Sequence, residues 1–233
     1  MAKDIIVFAP HPDDETLGCG GTIAKKISEG YNVSIVFLTD GRNAYLEDFG
    51  ITSEPTPYEL QEIRKEEAKR VANILGVKEE NLFFLGIEDG MLERNEEVAQ
   101  VNIINILSKT SPIEVYLPYE KDLHIDHRLT NRIVRNSIAK LNLHPIEYQY
   151  TIWRAQDAAA YTRIKLLKET IFNLLKHDLV YVSFPNFLPL KKMAIAEYKS
   201  QIAILFDWQK RPVLESWFVK RFLKSKEKFF VKR

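Results

Sequence analysis

The sequence predicts a single α/β domain with a Rossmann-like, mostly parallel sheet and helices on both faces. Three observations carry that expectation. Short apolar runs alternate with helix-period segments through roughly the first two-thirds of the chain, as strands do when crossover helices join them. A length of 233 residues suits one such domain and buries a full core without crosslinks. Two clusters of ligand-type side chains each follow an expected strand directly, and open α/β sheets bind their ligands at the carboxyl ends of strands.

Taken in order, Ile5-Ile6-Val7-Phe8-Ala9 reads as a buried first strand, and residues 22–28 as part of a helix that Gly30 ends. Residues 33–38 form the second strand. Residues 40–57 carry Gly41, Gly50, Pro55 and Pro57 and read as a long loop of the kind that holds function. A helix follows over 59–75 with Gly76 as its stop signal. A strand at 82–85, a helix at 98–107, a strand at 113–117, a helix near 128–141 and a strand near 148–153 complete a core of residues 1–155. Residues 156–233 read as a C-terminal extension of the same domain, either a cap or a sheet edge, with helices at 161–176 and 191–205 and a strand at 180–184. The tail from Trp217 mixes Phe218, Phe222, Phe229 and Phe230 with seven Lys and Arg side chains. It reads as a solvated helix with its apolar face packed on the domain, in preference to a contact with anionic lipid.

Composition removes several classes. A net charge of +1 gives no global field to recruit nucleic acid. The one cysteine, Cys19, excludes an intrachain disulfide and fits a reducing compartment. The apolar run at 5–9 is too short for a signal-peptide core, and no stretch reaches about 18 uninterrupted apolar residues. A cytoplasmic enzyme is the expectation, with self-association left open.

The first cluster is Ala9-Pro10-His11-Pro12-Asp13-Asp14-Glu15, and the second is Asp122-Leu123-His124-Ile125-Asp126-His127. Three of the chain's five histidines lie in them. A catalytic zinc takes about three nitrogen and oxygen ligands and keeps one position for water. One histidine and one carboxylate from the first turn, with a histidine from the second, supply such a set. A carboxylate left over can take a proton from water, and a spare histidine can stabilise an oxyanion. Alone, Asp13 and Asp14 could simply welcome a helix N-terminus. Two such clusters at one sheet edge argue against that account of the pair.

The stretches APHPDDETLGCGGTIAK and DLHIDHR resemble the LmbE-like, PIG-L-type zinc deacetylase family, whose members include deacetylases of N-acetylglucosaminyl-inositol compounds and of bacillithiol and mycothiol precursors. Weaker similarity runs through RKEEAKRVANILGV and LGIEDGML, and MAIAEYKSQI is similar to a late family helix that often reads Ala-Ile-x-x-His-x-Ser-Gln. By that resemblance His11, Asp14 and His127 hold Zn2+ (or another divalent transition metal such as Fe2+), Asp13 is the general base, and His124 stabilises the oxyanion. Asp126 then orients one of the histidines, and Glu15 ties the loop to backbone donors. The implied substrate is a small N-acetylated amino sugar or glycoconjugate. Ile125 stands where the family usually has proline, a departure that removes no ligand.

The resemblance also draws Arg64 towards the substrate, where spacing alone gives a surface ion pair with Glu67. Asp89 is balanced between a contact to sugar hydroxyls and a turn aspartate before Gly90, and Arg42 and Asn43 are candidate substrate contacts. Gly18, Gly20 and Gly21 with Asp40 echo a dinucleotide fingerprint, but Ile23 occupies the third small-residue position. They read as close packing under the metal loop, and Cys19 as a small buried hydrophobe. Two rivals remain: a hydrolase of another acylated amine, and a nucleotide- or sugar-binding module built on those glycines.

Overall fold

The computed structural model describes residues 3–154 and 176–232. Seven strands form one sheet in the order β3-β2-β1-β4-β5-β7-β6. They are β1 (Asp4–Ala9), β2 (Asn32–Thr39), β3 (Leu82–Ile87), β4 (Glu114–Pro118), β5 (Ile146–Tyr150), β6 (His177–Ser183) and β7 (Lys226–Lys232). The first five run parallel. β7 is antiparallel to both β5 and β6 and extends the sheet beyond the parallel part.

Alternation along the strands sorts the core into two layers. Ile5, Val7 and Ala9 of β1 pack with α1 (Asp14–Ser28), α3 (Pro57–Leu75) and α6 (Leu188–Glu197) on one face. Ile6 and Phe8 pack with α4 (Glu96–Thr110) and α5 (Ile125–Lys140) on the other. Strand order reverses between β1 and β4, so their carboxyl ends flank the crevice of a doubly wound sheet. His11 follows β1, and His124 and His127 follow β4. The expected fold class is the one observed.

Several local expectations are corrected. The 40–57 loop contains a short helix, α2 (Ala44–Phe49), stopped by Gly50 in the left-handed region at φ 71°. α3 starts earlier than residue 59, because Thr56 caps it and forms a reciprocal capping box with Glu59. α5 starts at Ile125 instead of Arg128, with His124 as its N-cap. That puts Asp126 and His127 in a helical first turn. Ile125 is the first helical residue and exposed, a position that proline also suits, and its presence leaves His124, Asp126 and His127 at the site. Pairing with β4 places β5 at 146–150, ahead of the expected 148–153.

The tail is not a long helix. Only α8 (Ser216–Val219) is helical there, and Lys226–Lys232 joins the sheet as β7. Phe218, Phe229 and Phe230 are buried in the protein while Trp217 is exposed, so most of the tail's aromatic rings pack on the domain. Among the described residues no helix is long and apolar enough to cross a membrane. The segment expected as one helix over 191–205 divides into α6 and the single turn α7 (Lys199–Ile202). The helix expected over 161–176 lies outside the described residues except for Lys176.

The glycines of α1 lie inside the helix and not at its N-terminus. A Cβ on Gly18 would collide with the Tyr150 ring, and one on Gly21 with Phe184. Asp40 spends its carboxylate on Arg42, accepting from the backbone N–H at 3.1 Å and from Nε at 2.8 Å. The dinucleotide reading therefore has neither a phosphate turn nor a free ribose acceptor. Cys19 is fully buried and burial pushes its thiol well up, as suits a packing residue.

Candidate metal centre

Asp13 and Asp14 open α1, where the unpaired N–H groups of a helix favour negative charge. Asp13 sits at φ 132°, a conformation side chains avoid, and such strain persists only where neighbours over-determine it. Here its N–H donates to Glu15 Oε2 at 3.0 Å, and Arg64 Nη2 lies 3.3 Å from its Oδ2. Glu15 is itself fixed, accepting from Tyr198 Oη at 2.6 Å and Thr16 Oγ1 at 2.5 Å. Tyr198 occupies the position where the late-helix pattern usually carries histidine.

The two clusters meet through one carboxylate oxygen. Asp14 Oδ2 lies 3.1 Å from His11 Nδ1 and 3.2 Å from His127 Nε2. His11 Nε2 faces Asp89 Oδ1 at 3.1 Å and Asp126 Oδ2 at 3.4 Å. His124 stands edge-on to His11, with ring centroids 4.8 Å apart. Its Nδ1 accepts the Asp126 backbone N–H at 3.3 Å.

Charge accounts for the titration behaviour. Burial pushes Asp13 up to about 8, against the pull of Arg64 and with Asp14 adding to the rise. Burial opposes ionisation of Asp14 too, but His127 and His11 hold it below the usual carboxylate range. His127 is lifted to about 10 because Asp14 and Asp122 outweigh its burial. His11 rises well above the ordinary histidine value despite burial, drawn chiefly by Asp89. Burial, followed by the charges of His11 and His127, lowers His124 to about 4, so it is neutral at pH 7.

The donor set fits a divalent metal ion. His11, His124 and His127 each offer a nitrogen within 4.8 Å of the others, and His11, Asp89 and Asp126 form a second such group. Asp126 Oδ1 is buried without a hydrogen-bond partner, and the buried nitrogens of His11 and His127 face carboxylate oxygens, a donor set that suits coordination. Buried carboxylates crowd the same space against one guanidinium.

The remaining expected residues are placed as follows. Asp89 is buried beside His11 and lines the cleft. Arg64 also lines it, yet is almost wholly buried and donates to Gly41 O at 3.0 Å and Pro12 O at 2.5 Å. It clamps the first two site loops together around Asp13. The surface ion pair with Glu67 does not exist, since Glu67 is buried and accepts from Ser200. Arg42 does not line the cleft; it bonds Asp40 and Gln61 and lies over the Tyr58 ring. Asn43 donates to Asp89 O at 2.8 Å, holding that loop in place.

Sequence reasoning gave Asp122 no role. Its Oδ1 lies 3.4 Å from His127 Nδ1 and accepts the His124 N–H, while Oδ2 accepts the N–H groups of Ile152 and Trp153. Asp122 thus orients His127, while Asp126 faces His11. Its place inside the second cluster was the only signal. Removing such a partner typically costs 10–100-fold in metal affinity. We expect Asp122→Ala to weaken zinc binding by about that factor in a chelator competition, and an unchanged affinity would dismiss the assignment.

The PIG-L family pattern, described as GlcNAc-PI de-N-acetylase, matches residues 6–138. The chain belongs to that family. Within this family it is 39% identical over 132 residues to the diacetylchitobiose deacetylase of Thermococcus kodakarensis, covering 54% of the chain and 45% of the relative. It is 30% identical over 146 residues to a probable N-acetyl-alpha-D-glucosaminyl L-malate deacetylase 2 of Bacillus cereus, covering 60% and 63%. The match thus spans less than two thirds of either relative's length. The structure of N,N'-diacetylchitobiose deacetylase from Pyrococcus horikoshii, complexed with its inhibitor MPG, superposes with a TM-score of 0.67 at 27% identity. That superposition covers 99% of this chain and 84% of the other.

Proposed function

We propose that this chain is a zinc-dependent N-deacetylase that hydrolyses the acetamide of an N-acetylated amino sugar, with His11, Asp14 and His127 as the metal ligands. The observation that carries it is Asp14 Oδ2 standing between His11 Nδ1 and His127 Nε2 with the Arg64-held Asp13 next to it. Zinc bound there supplies a Lewis acid that polarises the acetyl carbonyl and lowers the pKa of water. Asp13, fixed at the helix start, accepts the proton of the attacking water. Because His124 Nδ1 already accepts the Asp126 N–H, the neutral ring carries its proton on Nε2. That N–H can donate to the oxyanion that forms at the carbonyl. The proton held by Asp13 passes to the amide nitrogen as the C–N bond breaks, and acetate and the free amine leave.

Trp153, Gln201 and Asp89 line the cleft, and an aromatic ring beside polar groups supports a saccharide as the substrate. Both relatives compared above are named for deacetylating glucosamine derivatives, which supports the same substrate class here. The binding-module alternative loses its glycines to packing inside α1.

The test is acetate release from N,N'-diacetylchitobiose and simple N-acetylglucosaminides, with zinc per chain measured in parallel. His124→Ala should keep its zinc and lose about 3–4 kcal/mol of transition-state stabilisation, the range for a single oxyanion donor. Loss of zinc in that variant would make His124 a ligand instead. Absence of acetate release from every N-acetylated sugar would overturn the reading.

A further inference from the structure

The mouth of the cleft carries a charge pattern that the hydrolysis itself does not need. Glu47 and Asp48 project from α2 at its lip, outside the inner acids Asp13, Asp14 and Asp89. Cations near that lip already have partners. Arg211 Nη2 bonds Asp48 at 2.9 Å, Arg42 is bound to Asp40, and Arg64 is enclosed against Asp13. Glu47 has no cation partner among the described residues. Burial raises its pKa, and next come the opposing or reinforcing charges of Asp89, His11 and Asp126, so its carboxylate shares the field of the metal-site residues. A metal ion held by the inner residues would offset charge there, and Glu47 lies outside that set.

We propose that Glu47 makes this mouth select substrates whose group next to the acetamido sugar is neutral or cationic, and reject those in which it is anionic. This rests on the deacetylase reading. A cleft lined by one sign of charge focuses its field at the entrance, and a repulsive element is an efficient source of specificity. An anionic aglycone entering here meets Glu47 and, among the described residues that line the cleft, no Lys or Arg without an acid partner. A hydroxyl or an ammonium can donate to it.

The test uses one sugar with three aglycones: the methyl, 2-aminoethyl and carboxymethyl N-acetylglucosaminides, assayed by acetate release from the zinc-loaded protein. The parent should turn over the carboxymethyl glycoside with a kcat/KM about tenfold below the methyl glycoside, and the gap should narrow as salt rises. Glu47→Gln should shrink that ratio severalfold, and Glu47→Lys should bring it to unity or invert it. Glu62→Gln, which makes the same change of net charge on an exposed face of α3, should leave the ratio alone. Equal turnover of the methyl and carboxymethyl glycosides by the parent, or a ratio that neither Glu47 variant moves, overturns the proposal. Absence of acetate from all three glycosides overturns the deacetylase reading beneath it, and the selectivity with it, so the two failures are distinct.

Discussion

Asp13→Asn should lower turnover by about 10²–10⁴-fold while zinc content stays near that of the parent. The magnitude is that of losing a general base. Asparagine keeps the shape of the side chain, and Arg64 retains the Pro12 and Gly41 carbonyls as partners, so the loop should hold its course. Burial pushes the Asp13 carboxyl up to about 8, so the ionised form, which is the one able to accept a proton, gains as pH rises towards that value. Asp14 is different, because its Oδ2 joins His11 and His127. Asp14→Asn should therefore lose zinc first, and activity as a consequence. Zinc per chain and turnover of the best N-acetylated sugar, measured on both variants, decide the matter. If Asp13→Asn loses its metal while Asp14→Asn keeps metal and activity, the two roles are reversed.

The site was legible where sequence order and spatial order coincide. His11, Asp13 and Asp14 follow β1, and His124, Asp126 and His127 follow β4, and the strand ends alone bring them together. Arg64 and Asp122 were harder. A helix residue 51 positions from Asp13 shows nothing of its partner in local spacing, and Asp122 reaches His127 only because the turn before α5 folds back. The C-terminal part departs from its expected structure for another reason. Lys226, Lys228 and Lys232 are exposed while Glu227 and Phe229 are buried, which is strand alternation. A buried glutamate within that run hid the period, because Glu227 looks like a surface residue until its partners on α1 and α6 are known.

Those partners make Glu227 a stability lever outside the site. Its Oε1 accepts from Lys191 Nζ at 2.5 Å and from the Gly21 N–H at 2.9 Å, and its Oε2 accepts from the Thr22 N–H at 2.8 Å. Lys191 is 1% exposed and Glu227 6%; Lys191 also donates to Leu17 O at 2.9 Å. The pair ties β7 and α6 to the middle of α1, the helix whose first turn holds Asp14. Removing one member of a buried ion pair leaves the other charge uncompensated, at a cost of about 3–5 kcal/mol. For a chain of this size each kcal/mol shifts Tm by about 2–4 °C, so Glu227→Ala should melt roughly 6–20 °C lower. The double variant Lys191→Met, Glu227→Leu should recover at least about half of the loss, since apolar replacement of a whole buried pair is often near neutral. In the double variant the Gly21 and Thr22 N–H groups have the carbonyls four residues back in the helix as acceptors. Its zinc content and low-temperature turnover should match the parent, because no ligand or base is touched. Thermal melts of Lys191→Met, Glu227→Leu and the double variant form a cycle whose coupling term is the readout. Additive losses, or a Glu227→Ala protein that melts with the parent, would show that the pair contributes nothing beyond its packing.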